Sequence, residues 1–411
     1  MGLPTYYTHS PGDPSNMEPT PQYADPIEDG LIDEKAPPPS QALSGLLLLG
    51  CALLALIWAN SPWRETYHAL NHLPVAGLSL QHFINDALMA VFFLVVGLEI
   101  KHEIQDGALS SMRKAARPVV GAVGGMVLPA SIYLLVAGGT DAHAGWGIPM
   151  ATDIAFALGI VALLGNRVPS GLRIFLAALA IADDIGAVLV IAFFYTPTVS
   201  ARALGVTVLL LLALLELNRR RVGAIWPYVL LGIALWFAVF KSGLHASIAG
   251  VLLAFTVPSK GPDCVQERLE HYLNWPVTYL IIPLFALANA GVTLPDDLAS
   301  FARQPAVSAA ALGLIVGKPL GIFGAAWLAV RFRWADLPAD ADWYRVFGVA
   351  TLGGIGFTMS LFIAALAFGE NAQLDAAKIG VLSGSLITGI GGAVLLSFAR
   401  RPTPSALPSA P

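Results

Sequence analysis

Long apolar runs dominate this sequence, and they constrain its fold more than any other feature. Between Leu43 and Arg400, runs of about 20 residues follow one another with short polar or Pro/Gly-rich breaks, and about 20 residues is the length with which a helix crosses a bilayer. Only 12% of the 411 residues are charged, against roughly 25% in soluble domains. The sequence therefore predicts an all-α polytopic membrane protein.

We predict about twelve transmembrane helices in a domain that covers residues 43–400, followed by a short tail at 401–411. None of the runs alternates with period two, as the strands of a membrane barrel do. The predicted spans are residues 43–60, 80–100, 118–137, 148–164, 172–195, 202–217, 223–240, 243–257, 275–293, 305–330, 346–368 and 377–399.

Residues 1–42 differ in composition from the rest of the chain. They contain nine prolines, seven acidic residues and a single lysine, Lys35, so we predict a disordered acidic tail. The basic start and the cleavage site of a signal peptide are missing, and we expect the first apolar run to stay as a membrane anchor.

The basic residues predict the orientation of the spans. The loops after even-numbered spans, together with the C-terminus, hold 15 Lys and Arg residues, while the opposite loops hold three. Cytoplasmic loops carry such an excess in membrane proteins. We therefore expect both termini in the cytoplasm.

Composition also limits the partners. A formal net charge of -4 and the lack of a basic stripe argue against nucleic acid. The two cysteines, Cys51 and Cys264, form neither a metal-ligand spacing nor a disulfide framework. We expect the lipid bilayer as the main partner, and no nucleic acid, cofactor or protein substrate.

A few charged residues remain inside the predicted spans. Lys318 lies in the middle of the tenth span, where an ammonium costs at least about 3 kcal/mol. Asp183 and Asp184 lie at the centre of the fifth span, Asp153 lies in the fourth, and Asp86 lies a third of the way into the second. These residues are either buried ion pairs or parts of a functional site.

The adjacent aspartates favour the functional alternative. Neighbours on a helix point about 100° apart, so one structural partner cannot easily satisfy both Asp183 and Asp184. Two carboxylates in one low-dielectric cavity cannot both stay ionised unless a cation joins them. The pair therefore holds either a proton or a metal cation, and alternating access would turn that competition into antiport.

Helix-weakening residues interrupt two spans. The fourth span contains Gly147 and Pro149, and the eleventh contains the glycine-rich run 353–356. Each is the middle member of a three-span group, at about 118–195 and 305–399, and the two groups begin on opposite sides of the membrane. This pattern is typical of inverted repeats with broken helices, and glycine-rich packing faces are the alternative.

Eight short motifs occur in order along the domain. They are NDALMAVFF from Asn85, GLE from Gly97, ATDIAFA from Ala151, ADD from Ala182, KSGLHA from Lys241, LFALANAG from Leu284, GKPLG from Gly317 and GIGFTMS from Gly354. In these motifs the sequence resembles the NhaA family of sodium/proton antiporters, whose members are examples of the inverted-repeat fold. The resemblance implies the NhaA fold, with two discontinuous crossing helices, in a bacterial inner membrane.

The same resemblance implies a function and a site. The function is secondary active, electrogenic exchange of cytoplasmic Na+ or Li+ for a larger number of periplasmic protons, which serves sodium and pH homeostasis, so the protein is expected to be a transporter and not an enzyme. Asp184 and Asp183 would carry the metal ion and the protons, with Thr152 and Asp153 beside them. Asp153 would face the N-termini of the half-helices, and Lys318 would face their C-termini and pair with Asp183.

For pH activation, the resemblance implies a cytoplasmic cluster together with a histidine that affects the pH profile. The cluster maps onto Glu99, Glu103, Glu270 and His271, and the histidine onto His245. Ordinary solvated charges at span ends are the alternative for all five residues.

Three features depart from the family pattern. Glu267 stands where members often have a basic residue, so this patch is more acidic. The N-terminal tail is longer than usual, and the segment 61–79 is shorter than the stretch that forms a dimerising hairpin in the family. A homodimer is nevertheless expected.

Other functions are less consistent with the sequence. An intramembrane aspartyl protease would resemble its relatives in a Gly-x-Gly-Asp signature, which does not occur. A symporter of bulky solutes with related architecture would move Na+ in the same direction as its solute. An ion channel would need a repeated selectivity filter, and nothing in the sequence resembles one.

Overall fold

Helices account for nearly all of the regular structure in the part of the chain that the computed structural model describes. The described residues are 39–75, 77–107, 109–195, 200–259, 264–295, 297–334, 337 and 341–399. The predicted disordered tail lies outside these residues up to position 38, and so does the predicted C-terminal tail. The first helix begins at Pro39, four residues before the predicted start of the membrane domain.

The first ten α-helices lie between residues 39 and 256. They are α1 (Pro39–Ala59), α2 (Arg64–Asn71), α3 (Leu80–Phe83), α4 (Met89–Gln105), α5 (Met112–Ala137), α6 (Ile154–Leu164), α7 (Ser170–Phe194), α8 (Ala201–Arg219), α9 (Trp226–Ser242) and α10 (Ile248–Thr256). Between α2 and α3, strands β1 (Pro74–Val75) and β2 (Leu78–Ser79) form an antiparallel hairpin with Val75 opposite Leu78.

Eight further α-helices complete the described part. They are α11 (Val265–Pro276), α12 (Ile282–Asn289), α13 (Leu298–Phe301), α14 (Pro305–Leu312), α15 (Lys318–Arg331), α16 (Trp343–Leu352), α17 (Phe357–Phe368) and α18 (Ala372–Phe398). Single π turns at Ile84–Leu88, Val277–Ile281 and Gly313–Gly317 join α3 to α4, α11 to α12 and α14 to α15, and 3-10 helices cover Asp141–Met150 and Gly165–Arg167.

Seven helical stretches among the described residues are long and apolar enough to cross a membrane. They are Ala42–Ala59, Leu80–Gln105, Pro118–Ala137, Ser170–Phe194, Ala201–Arg219, Pro305–Arg331 and Ala372–Phe398. Two bent helix pairs raise the number to nine if each pair is one span. The prediction of an all-α polytopic membrane protein is confirmed, while the count of twelve spans is not.

The two bent pairs lie where the sequence predicted discontinuous helices. In the first pair, Asp141–Met150 and Ile154–Arg167 meet at an angle of 42°, and in the second pair, Trp343–Leu352 and Phe357–Phe368 meet at 45°. Residues 151–153 lie outside both helices, and the backbone at Ala151 is extended. Each break leaves the ends of two half-helices without continuing partners, and such ends need other groups to satisfy them.

The apolar run predicted as a span at 243–257 contains a much shorter helix. Gly243 has a left-handed backbone, with φ of +86°, and ends α9 there, since glycine adopts this conformation at little cost. Helix α10 begins only at Ile248 and has nine residues, which is about 14 Å of helix. It packs on α4 and is too short to cross a bilayer by itself.

Close packing between α5 and the helix that carries Lys318 fixes the position of that lysine. Helix α15 and the π turn before it pack against α5. A Cβ atom at Gly317 would lie 2.5 Å from the Cα atom of Pro129, so only glycine permits this approach. The π turn adds one residue to the helical turn, which rotates the residues after it by about 100° relative to a regular helix. Lys318 follows this turn directly.

Candidate functional site

The two helix breaks touch each other, and their contact forms the centre of the site. The backbone N–H of Asp153, at the first break, donates to the carbonyl oxygen of Ile355, at the second, over 2.6 Å. The hydroxyl of Thr152 lies 2.9 Å from the carbonyl oxygen of Gly353. Because these atoms lie within the breaks themselves, the four half-helix ends converge on one small volume.

Asp153 caps two half-helices with one carboxylate. Its Oδ1 accepts from the N–H of Phe156 in α6 at 3.0 Å. Its Oδ2 accepts from the N–H and the hydroxyl of Thr358 in α17, at 3.1 and 2.5 Å. The N-terminal ends of helices carry partial positive charge, so a carboxylate that is only 2% exposed is stabilised there. The structure thus places Asp153 between the N-terminal ends of α6 and α17.

Two serines complete the capping, and the sequence analysis did not single them out. The Ser385 hydroxyl, on α18, accepts from the N–H groups of Gly356 and Phe357 at 3.2 and 3.1 Å. The Ser360 hydroxyl, on α17, donates to the carbonyl oxygen of Ile148 at 2.6 Å. Serine is common in membrane helices, where it packs and hydrogen-bonds between helices, so the residue type does not reveal the capping role, although Ser360 is the last residue of the GIGFTMS motif.

Lys318 forms an ion pair with Asp183 in the interior of the protein. Its ammonium contacts Asp183 Oδ2 and donates to the Thr152 hydroxyl at 2.9 Å. The Thr152 oxygen lies 2.7 Å from the same Asp183 oxygen, and all three side chains have no exposed surface. Asp183 and Lys318 therefore form a buried ion pair, which either a structural or a functional role would require.

Among the described residues, Lys318 reaches the C-terminal carbonyls of the half-helices through Thr152: its ammonium donates to the Thr152 hydroxyl, which lies 2.9 Å from the carbonyl oxygen of Gly353. Within the described part of the chain, the C-terminal carbonyls at the breaks are met by hydroxyls: that of Thr152 lies beside Gly353 and that of Ser360 bonds Ile148. A hydroxyl satisfies a carbonyl at lower desolvation cost than an ammonium does. The ammonium of Lys318 therefore pairs with the carboxylate of Asp183.

Asp184 has no such partner. Its side chain is 3% exposed, and Oδ1 of both Asp183 and Asp184 is buried without a hydrogen-bond partner among the described residues. Asp184 also lies close enough to Asp183, Glu99, Asp153 and Lys318 to interact with their charges. A buried carboxylate oxygen is costly unless a proton or a cation joins it. The geometry thus suits reversible binding of either.

The residues predicted to respond to pH separate into two places. Glu103 and Glu270 both lie close enough to Glu99 to repel its charge, and Glu99 is exposed whereas the other two are half-buried. His271 is exposed beside the ring of Tyr272. The structure thus brings the three glutamates together.

One further residue ties this glutamate cluster (Glu99, Glu103 and Glu270) to the helix that carries Glu99. The side-chain amide of Gln266 donates to the carbonyl oxygen of Leu98 at 3.1 Å and to Glu270 Oε1 at 2.9 Å. Gln266 is 2% exposed. It therefore joins α11 to α4, and the sequence analysis missed it because glutamine next to charged residues reads as a surface position.

His245 lies near Asp86 and apart from the glutamate cluster. Its Nε2 hydrogen-bonds the carbonyl oxygen of Tyr195 at 2.7 Å, and its charge interacts with that of Asp86. The backbone carbonyl of Asp86 accepts from the Trp236 indole at 2.9 Å. Both His245 and Asp86 are half-buried. Neither contacts the ion pair of Lys318 through a hydrogen bond among the described residues.

The chain matches one family of known proteins over most of its length. The family model described as Na+/H+ antiporter 1 matches residues 39–396. The chain is 50% identical over 378 residues to the Na(+)/H(+) antiporter NhaA of Caulobacter vibrioides, covering 90% of this chain and 92% of that protein. It is 48% identical over 389 residues to the protein of the same name in Rhizobium etli, covering 92% and 99% of the two chains.

Proposed function

The chain belongs to the Na+/H+ antiporter 1 family, and from this premise we propose that it exports cytoplasmic Na+ or Li+ in exchange for a larger number of periplasmic protons. It is a multi-pass bacterial membrane protein of a transporter family. The proposal places it in the inner membrane with both termini in the cytoplasm, as a homodimer that uses no cofactor. Its work in the cell would be sodium and pH homeostasis.

One observation carries the proposal. Asp183 and Asp184 each keep a buried carboxylate oxygen without a hydrogen-bond partner among the described residues, next to the only lysine in the middle of a predicted span. Oxygen atoms of carboxylates are the ligands that hard cations such as Na+ prefer. A cation between the two aspartates would satisfy both orphaned oxygens, and protons would satisfy them in its absence.

In this proposal, the ion pair makes the exchange unequal. In the proton-loaded site, Asp184 is protonated and the Lys318 ammonium neutralises Asp183. A cation that binds both carboxylates displaces the proton of Asp184 and competes with the ammonium for Asp183, so that Lys318 also gives up a proton. Two protons then leave for each monovalent cation that enters, and each cycle moves one net charge. Transport is therefore electrogenic in this proposal.

The competing functions fit this geometry less well. An aspartyl protease needs two aspartates on separate helices that face a peptide, whereas Asp183 and Asp184 both lie on α7. A symporter of bulky solutes needs space for its solute beside the ion site, and here Thr152, Asp153 and Lys318 fill the crossing with hydrogen bonds. The direction of proton flux distinguishes a symporter from an antiporter.

The test is ion exchange by the purified protein in liposomes. With an imposed pH gradient, Na+ should enter only while protons move in the opposite direction, and Li+ should substitute for Na+. Asp184→Asn keeps the size of the side chain and removes its charge, so exchange should fall to background. The matched control is Asp297→Asn, because Asp297 is an exposed aspartate outside the predicted spans. Wild-type exchange rates in Asp184→Asn would refute the proposal.

A regulatory function is proposed for the glutamate cluster and His245. The observation in its favour is that two carboxylates lie close enough to Glu99 to repel its charge, so the total charge of the cluster depends on pH. We propose that ionisation of the cluster activates exchange as the pH rises, and that His245 adjusts the pH profile through its contact with Tyr195.

A further inference from the structure

Tyr195 connects the helix of the two aspartates to the first broken helix. It follows the last residue of α7, which carries Asp183 and Asp184, and its side chain is buried. The Tyr195 hydroxyl accepts from the N–H of Gly147 at 3.1 Å and donates to the carbonyl oxygen of Ala144 at 2.9 Å. One hydroxyl thus serves as acceptor and donor to the same segment.

The segment that Tyr195 contacts leads directly into the site. Ala144 and Gly147 belong to the 3-10 helix Asp141–Met150, and they are three residues apart, which is the spacing of one 3-10 hydrogen bond. The hydroxyl therefore bridges the acceptor and the donor of a single turn. Two residues after this helix ends, the chain reaches Thr152 and then Asp153.

The packing around Tyr195 fixes the position of its hydroxyl. A Cβ atom at Gly147 would lie 2.9 Å from the hydroxyl oxygen and 3.2 Å from the ring, so glycine is needed for the contact. The Trp146 ring lies against Phe194 and stacks on Tyr195, with centroid separations of 5.0 and 6.5 Å. The Tyr195 carbonyl accepts from His245. Ring, hydroxyl and backbone are each held by a different neighbour.

We propose that Tyr195 is a positioning residue for the ion site. Its hydroxyl holds the half-helix Asp141–Met150 in register with α7, and this fixes Thr152 and Asp153 relative to the two aspartates. Tyr195 follows Asp184 by eleven residues, which is about 17 Å along a helix, so it acts through the half-helix and does not touch the ion. The inference rests on the proposed antiport, because its effect is on ion binding.

The variant that tests this inference is Tyr195→Phe, which keeps the ring and its stacking and removes only the hydroxyl. Loss of one buried hydrogen-bonding group typically changes an equilibrium by about three- to tenfold. We expect the apparent KM for Na+ in liposomes to rise by that factor, while the maximal exchange rate stays within about twofold, because the carboxylates that exchange the ions are unchanged.

The chain offers a matched control for the lost hydroxyl. Tyr228 is fully buried, and its hydroxyl has no hydrogen-bond partner among the described residues, so Tyr228→Phe should leave the KM unchanged. A second variant, Gly147→Ala, would push the Tyr195 hydroxyl away and should also raise the KM. Its control is Gly205→Ala, since a Cβ atom at Gly205 meets nothing within 4 Å.

The outcomes separate the inference from the proposed function. A raised KM in Tyr195→Phe and Gly147→Ala, with both controls at the wild-type value, supports the inference. An unchanged KM in Tyr195→Phe overturns it, whether or not the melting temperature of the protein falls, and so does an equal change in Tyr228→Phe. If the wild-type protein itself shows no exchange of Na+ for protons, the proposed antiport fails instead.

Discussion

Two groups of acidic residues in this protein differ chiefly in their surroundings. At the crossing of the broken helices, Asp183 and Asp184 are 0% and 3% exposed, and a lysine pairs with only one of them. In the glutamate cluster, Glu99 is exposed and Glu103 and Glu270 are half-buried. Both groups bring like charges close together, but the first is fully buried in the protein whereas the second is partly accessible.

This difference in burial predicts a difference in function. Solvent screens the charges that it can reach and supplies hydrogen bonds to them. A substitution in the glutamate cluster should therefore change the free energy of exchange by a small amount. In the buried site, each carboxylate needs a specific partner, and removal of one partner leaves an uncompensated charge. We expect the buried pair to determine whether exchange occurs, and the glutamate cluster to determine at which pH it occurs.

The largest expected effect after Asp184→Asn comes from removing the buried cation. Lys318→Ala leaves the Asp183 carboxylate buried beside Thr152 without its partner, and breaking a buried ion pair in this way typically costs about 3–5 kcal/mol. We expect a large fall in the melting temperature of the protein in detergent. The stoichiometry of protons to Na+ in liposomes should also fall, because in the proposed mechanism Lys318 holds one of the exchanged protons.

A double variant distinguishes the lost ion pair from lost packing. Asp183→Asn in the background of Lys318→Ala removes the orphaned charge and should restore much of the stability, although not the exchange. Lys241→Ala is the control, since the Lys241 side chain is exposed and its loss should change stability by no more than about 0.5 kcal/mol. If the double variant is no more stable than Lys318→Ala, packing and not charge holds this site together.

A smaller effect is expected from the cap on the second broken helix. Ser385→Ala leaves the N–H groups of Gly356 and Phe357 without their acceptor, and loss of a helix cap costs about 0.5–2 kcal/mol. The melting temperature should fall moderately. Ser383→Ala is a close control, because the Ser383 hydroxyl bonds only to Gly380 within its own helix. Equal losses in both variants would argue against a special role of the cap.

The sequence revealed those parts of the site whose residue types are rare in a membrane. Lys318, Asp153, Asp183 and Asp184 are conspicuous because a charge in hydrocarbon is expensive. The breaks were also predictable, since Pro149 and the glycine-rich run 353–356 weaken helices. The membrane fold could also be predicted, because the spacing of the apolar runs alone indicates membrane-spanning helices.

Other parts of the site and fold could not be predicted from their residue types. Thr358, Ser360 and Ser385 are ordinary in membrane helices, and their capping role depends on which half-helix end lies opposite them. The apolar run continues from the segment after Gly243 into α10, so the sequence does not show where this helix begins. Its nine-residue length depends on how the chain turns after Gly243. The π turn before Lys318 is set by packing against α5, which involves residues almost 190 positions earlier in the chain.

The smallest expected effect concerns the glutamate cluster, because solvent screens the charges in it. Glu270→Gln removes one of the two like charges that act on Glu99, so ionisation of the cluster should require a less alkaline pH. Because the proposed activation follows that ionisation, the pH of half-maximal exchange should move by less than about one unit toward lower pH, and high salt should shrink the shift.

Glu267→Gln is the control. Glu267 is exposed on the same helix and is not among the groups that interact with Glu99, so it should shift the profile less. Complete loss of exchange in Glu270→Gln would contradict the division between the buried site and the glutamate cluster, because a half-buried regulatory charge would then be as indispensable as a fully buried one.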